Sequence, residues 1–206
     1  MKTKVIGLSG VAGAGKDLFF KLLSRQLPVR RFALADTLKM ETDEWTKRHY
    51  GISSLDCSRE EKEVIRSFLV NHGTIKRERS KGRHWINKLD FNIKGFMLNS
   101  SGSDIPVVTD IRYNSYPEDE VQWIKEELGG VLVHIKQFKW FSDSEEGALV
   151  KQYREPVNEE EEKNDPLVER DADYRMEWEY TDLEHEGNEK KLVEEVGKFV
   201  SWYNES

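Results

Sequence analysis

Short apolar runs alternate with amphipathic stretches along the whole chain, and this alternation predicts its elements. Residues 4–9 form an apolar run of the length of a buried parallel strand, and 18–23 read as a helix directly after it. Residues 28–33 are a short β-prone segment, and Leu34-Ala35-Asp36-Thr37 opens a helix expected through Tyr50. After a turn-like stretch, Ser58 and Glu61 have the spacing of a capping box, and Ile65, Phe68 and Leu69 carry that helix to about His72. Trp85, Ile86, Leu89, Ile93 and Phe96 recur at helical spacing. Residues 105–110 predict a second buried strand, 118–128 a helix stopped by Gly129-Gly130, and 131–135 a further strand. A last strand at 173–178 and a closing helix at 188–203, with Leu192, Val196, Phe199 and Val200 on its apolar face, complete the pattern. Strands and helices in this order predict a three-layer α/β/α domain with a mainly parallel sheet.

One stretch breaks the alternation. Across 142–170 the composition turns acidic, with Glu159, Glu160, Glu161 and Glu162 in a row and turn-prone Pro156, Asn158, Asn164 and Pro166. It reads as a mobile or lid-like segment, or a solvated insertion, within a single domain spanning 1–206.

Chemistry enters at Gly10-Val11-Ala12-Gly13-Ala14-Gly15-Lys16-Asp17, between the first strand and the first helix. Glycines at this spacing let backbone N–H groups turn inward around a phosphate, and the lysine reaches the β- and γ-phosphates. The following helix aims its positive dipole end at the same anion. Gly10, Ala12, Gly13, Ala14, Gly15, Lys16 and Asp17 are therefore the candidate ATP-binding residues. Asp17 stands where the pattern has Ser or Thr to hold Mg²⁺; it is either a carboxylate ligand for that ion or a favourable first-turn acid.

Further candidates lie at strand ends, where ligand crevices of open α/β sheets form. Asp36 follows the second strand and faces the cleft or caps the next helix. Asp110 ends a buried strand and is placed to orient Mg²⁺; Arg112 beside it can fork onto a phosphate, or the two form an ion pair. Residues 76–85 are the densest basic cluster, including Lys76, Arg77, Arg79, Lys81 and Arg83; they form a solvated face or hold a polyanion. Trp85 beside them fits the core.

The net charge of −7 argues against broad attachment to nucleic acid without excluding a local basic groove. Cys57 is the only cysteine, which excludes an internal disulfide and a cysteine-built zinc site. No apolar run approaches the roughly 20 residues of a membrane span, and 1–4 show no signal-peptide pattern, so a cytoplasmic protein without a membrane partner is expected, as a monomer or homodimer.

These motifs resemble those of the phage deoxynucleoside monophosphate kinases, a branch of the P-loop nucleotide kinases. The matching pieces run from residue 3 to about 136: the loop with Asp17 after Lys16, the Ala35-Asp36-x-Leu38-Lys39 segment, Gly73-Thr74 leading to Arg83, Trp85 and Ile86, then Asp110-x-Arg112, Trp123-Ile124 and Gly129-Gly130. The resemblance implies the P-loop nucleoside triphosphate hydrolase fold and Mg²⁺-dependent phosphoryl transfer from ATP to a deoxynucleoside monophosphate. It casts Lys16, Asp36 and Arg112 as catalytic. Asp36, Arg79, Arg83, Trp85, Asp110 and Arg112 would bind the acceptor, and Asp17 and Asp110 the metal. A similar branch phosphorylates 5-hydroxymethyluracil in phage DNA, with Asp36 as general base and Arg30, Arg31 and the basic cluster lining a groove. A nucleotide-binding switch without turnover is the third reading.

Overall fold

The computed structural model describes residues 4–99, 104–142, 149–180 and 188–206. Most of the polar loop read at 99–104, and 143–148 of the acidic segment, lie outside the described residues.

In chain order the elements are β1 (Ile6–Ser9), α1 (Lys16–Leu23), β2 (Val29–Phe32), α2 (Leu34–Tyr50), α3 (Arg59–Arg79), α4 (Arg83–Asn99) and β3 (Ile105–Ile111). Then come α5 (Glu120–Gln122), which continues as a π-helical stretch (Trp123–Glu127), β4 (Val131–Ser142), β5 (Leu149–Tyr153), α6 (Glu159–Arg170), β6 (Tyr174–Glu179) and α7 (Asn188–Glu205). The sheet runs β2-β3-β1-β4, with β6 parallel to β4 and β5 antiparallel to its far end. Every pairing except β4 with β5 is parallel.

Alternation along the strands divides the core between the two faces of this sheet. Ile6 and Leu8 of β1, Ile105 and Val107 of β3, and Val131, Val133 and Ile135 of β4 pack with Phe19 and Leu22 of α1 and Leu192, Val196 and Phe199 of α7. Val108, Ile111 and Leu132 point the other way, onto Ile86, Leu89 and Ile93 of α4 and Trp123 and Ile124 of the π-helical stretch. The result is the expected three-layer α/β/α architecture with a mainly parallel sheet. Phe19 is fully buried between Trp178 and Phe199, each in an edge-on ring contact, so Phe19→Ala would cost about 3–5 kcal/mol.

Ser58 and Glu61 form the reciprocal capping box that their spacing predicts. Three differences from the sequence expectation bear on the site. Helix α3 runs past His72 to Arg79, so Lys76, Arg77 and Arg79 occupy its last turn, where the helix dipole favours cations. Strand β4 continues past Ile135 to Ser142, and β5 pairs with the extension. The acidic segment contains α6: Asn158 caps it by accepting from the Glu161 N–H, and all four glutamates sit in its first turn, beside the positive dipole end. Asn164 and Pro166, turn signals in the sequence, lie inside this helix. Among the described residues no helix is long and apolar enough to cross a membrane.

Candidate active site

The phosphate loop spans the turn from β1 to α1, and Gly10, Gly13 and Gly15 have φ of 127°, 77° and 95°. Those values are in the left-handed region, which side chains rarely adopt. At Gly15 a Cβ would also fall 2.3 Å from the Trp178 ring, whose Nε1–H donates to Ala14 O at 2.8 Å. Trp178, on β6, thus supports the loop from below, a role that its place in a distant strand hid.

Lys16 folds back over its own loop, donating to Gly10 O at 2.6 Å and Val11 O at 2.9 Å. Burial lowers its pKa, and the nearby Arg112 adds to this, while Glu161, Asp165 and Asp17 oppose it. From above, Arg154 at the end of β5 donates through Nε to Ala12 O at 2.8 Å, and its guanidinium lies against Gly13. Glu161 of α6 accepts the Ala12 N–H at 3.1 Å and the Val157 N–H at 3.2 Å. A carboxylate thus sits on a backbone amide of the phosphate loop.

A cavity of about 460 Å³ opens beside the loop. Gly10, Leu34, Ala35, Leu38, Asp110, Arg112 and Tyr113 form its floor; Leu69, Gly73, Arg77 and Trp85 come from the α3–α4 side, and Asn158, Glu160, Glu161 and Asp165 from α6. Its size is that of a small-ligand site.

The predicted residues divide into those on this wall and those off it. Arg112 is exposed there, and its guanidinium has no hydrogen bond or ion pair among the described residues. Trp85 is buried at the wall and donates through Nε1 to Gly73 O at 3.2 Å. Asp110 also lines it, with each carboxylate oxygen accepting one N–H at 2.8 Å, from Leu34 and Ala35, so that it caps α2. Burial raises the Asp110 pKa against those two bonds.

Asp17 is exposed in the first turn of α1, with no hydrogen bond or ion pair among the described residues. Asp36 lies off the wall, in the first turn of α2, paired with Arg31 at 2.7 Å and Lys39 at 3.6 Å. Arg79 is exposed and also off the wall. Arg83 forks onto Glu127 and donates to Glu118 O, again off the wall.

Arg77 is the member of the basic cluster that reaches the cavity. It is buried, donates to Asp119, and places its guanidinium 3.8 Å from the Tyr113 ring centre and 4.9 Å from that of Tyr116. Its Nε is buried without a partner among the described residues. Behind Arg112, Glu120 accepts the N–H groups of Arg112 at 2.7 Å and Tyr113 at 3.1 Å, and burial raises its pKa to about 8. Nothing in the local sequence marks Glu120 or Glu161 as part of the site, because both arrive through tertiary packing.

No family model and no curated protein matches the chain. Among solved structures, shikimate kinase from Acinetobacter baumannii in complex with shikimate is similar over 97% of this chain and 94% of its own, at 16% identity and a TM-score of 0.40. At that level of similarity, the fold is read from this chain's own topology.

Proposed function

We propose that this protein is an ATP- and Mg²⁺-dependent kinase that transfers a phosphoryl group to a deoxynucleoside monophosphate, giving the diphosphate. One observation carries the reading: Gly10 belongs both to the phosphate loop and to the wall of a ligand-sized cavity, and Arg112, unpaired among the described residues, stands on that wall. Donor and acceptor phosphates would therefore meet at one place.

In this mechanism the backbone amides of 12–16 cradle the ATP phosphates, and Lys16 leaves its loop carbonyls to spread the charge of the transferred group. Arg112 and Arg77 hold the acceptor phosphate in line, while Trp85 and Tyr113 supply flat faces for the nucleoside. The acceptor phosphate is already ionised, so no strong base is required. Asp17 fits a metal, being exposed, next to Lys16 and uncommitted among the described residues; Asp110, both of whose oxygens hold α2, would act only through the ion's surroundings. Mg²⁺ would neutralise charge on the β- and γ-oxygens.

Ion pairing favours a free nucleotide over DNA. Of the basic residues that would line a DNA groove away from the cavity, Arg31, Lys76 and Arg83 are paired with Asp36, Glu41 and Glu127. Labelled ATP with Mg²⁺, offered with a panel of deoxynucleoside monophosphates or with DNA containing 5-hydroxymethyluracil, tests the proposal. Label on a free nucleotide supports it. Label on the polymer alone overturns it in favour of a DNA kinase, and transfer to neither favours a nucleotide-binding switch.

A further inference from the structure

His134, on β4 beside the phosphate loop, is 1% exposed, and its Nε2 is buried without a hydrogen bond among the described residues. The other ring nitrogen explains why. Ser9 Oγ donates to Val133 O at 3.1 Å and lies 3.0 Å from His134 Nδ1. A serine hydroxyl has one proton and a carbonyl can only accept, so with the Ser9 proton directed at Val133 O, Nδ1–H is the donor to Ser9. Nε2 is then left as a bare lone pair.

That lone pair faces acids. Asp165 Oδ2 is 3.6 Å away, and one ligand atom each of His134, Asp165 and Glu169 lie within 4.8 Å of one another. Asp165 and Glu169 are four residues apart on α6, so they project from one face of the helix toward β4. Three potential ligand atoms converge there, and a single divalent cation would satisfy all three. Lys136 meets Glu169 through Oε1 at 2.6 Å, which leaves the second oxygen and does not reach Nε2.

We infer that His134, Asp165 and Glu169 bind one divalent transition-metal ion of the Zn²⁺ or Co²⁺ class, which pins α6 to β4 beside the phosphate loop. One imidazole nitrogen with two carboxylates suits such an ion better than Mg²⁺, which prefers oxygen ligands and retains its waters. Ser9 acts as the outer partner that fixes the histidine tautomer. Ligand atoms around one such ion are roughly 3.4 Å apart, so binding would draw the two α6 side chains towards His134 Nε2.

The test uses the full chain, stripped with a chelator and free of nucleotide, so its outcome is independent of the kinase reading. Co²⁺ is titrated while visible absorption and the unfolding temperature are followed, with Zn²⁺ and Mg²⁺ as competitors. The expected result is saturation at a single equivalent, a raised unfolding temperature, and displacement by Zn²⁺ but not by equal Mg²⁺. Asp165→Asn and Glu169→Gln, on the partly exposed helix face, should each weaken binding by about tenfold or more. His134→Asn should abolish it, provided its circular dichroism shows a folded chain. Absence of saturable binding, binding unchanged in both α6 variants, or equal competition by Mg²⁺ overturns the inference.

Discussion

Arg112 and Lys16 stand at neighbouring positions with different tasks. Arg112 is held by its backbone, through the Glu120 carboxylate, while its guanidinium is uncommitted among the described residues. An arginine in that state loses little on forking onto a phosphate, and one charge-assisted hydrogen bond contributes about 1.5–3 kcal/mol. Arg112→Ala should therefore raise the acceptor KM by about 10–100-fold while changing the KM for ATP by about twofold or less. Steady-state kinetics with each substrate varied decides it, and equal effects on both would remove Arg112 from the acceptor site. Lys16→Ala should instead lower kcat by about 10²-fold or more with the unfolding temperature nearly unchanged, because Lys16 meets only two loop carbonyls. A variant retaining most turnover would take the lysine out of the chemistry. The loop residues were readable from sequence because a phosphate loop is local, with every part inside eight consecutive positions. Arg77 was one of several equivalent-looking cations; its selection depends on Asp119, Tyr113 and Tyr116, which arrive from the far side of α4 and β3.

Helix α6 and strand β5 show how a segment that reads as solvent-facing comes to govern the site. Local signals were ambiguous: Pro166 and Asn164 suggested turns, and four glutamates suggested a solvated run. Yet an Asn cap followed by acids is also a helix start, and only packing separates the two readings. Val168 buries against the core, and Ser115 donates to the buried Asn164 at 2.7 Å. The periodic strands and helices, by contrast, were legible because each buries an apolar face of its own. Once folded, α6 sets Glu161 on the Ala12 N–H, one of the amides that nucleotide phosphates need. On the kinase reading, ATP would have to displace this carboxylate. Glu161→Gln keeps an acceptor for the Val157 N–H but removes the charge, so ATP should bind about 5–10-fold more tightly, as measured by calorimetry with the nucleotide and Mg²⁺. Unchanged or weaker binding would mean that the carboxylate helps to hold the nucleotide instead of competing with it.

At the scale of the molecule, the half-buried Glu41 and the buried Glu120 should bend the dependence of stability on pH in opposite directions. Glu41 ties α2 to α3 and α4, meeting His72 at 2.9 Å, His84 at 2.8 Å, and also Lys76 and Lys88. Burial acts to raise its pKa, but the hydrogen bonds from Lys88, His72 and His84 win and hold it well below the usual carboxylate range. Its stabilisation is present above the unfolded pKa, near 4.5, and is lost as pH falls below that value toward the depressed folded pKa. Glu120 behaves inversely, since burial raises its pKa from 4.5 to about 8. Between those values the unfolded chain has released a proton that the folded chain retains, so stability falls as pH rises from 4.5 to 8, by an amount on the order of a few kcal/mol. Denaturant unfolding across pH 3 to 9 separates the two when each variant is subtracted from the parent. The Glu41→Gln difference should shrink only on the acid side, and the Glu120→Gln difference should turn in favour of the variant as pH climbs toward 8. A Glu120→Gln difference independent of pH would mean that the carboxylate is ionised in the folded state, held by the Arg112 and Tyr113 N–H groups strongly enough to outweigh its burial.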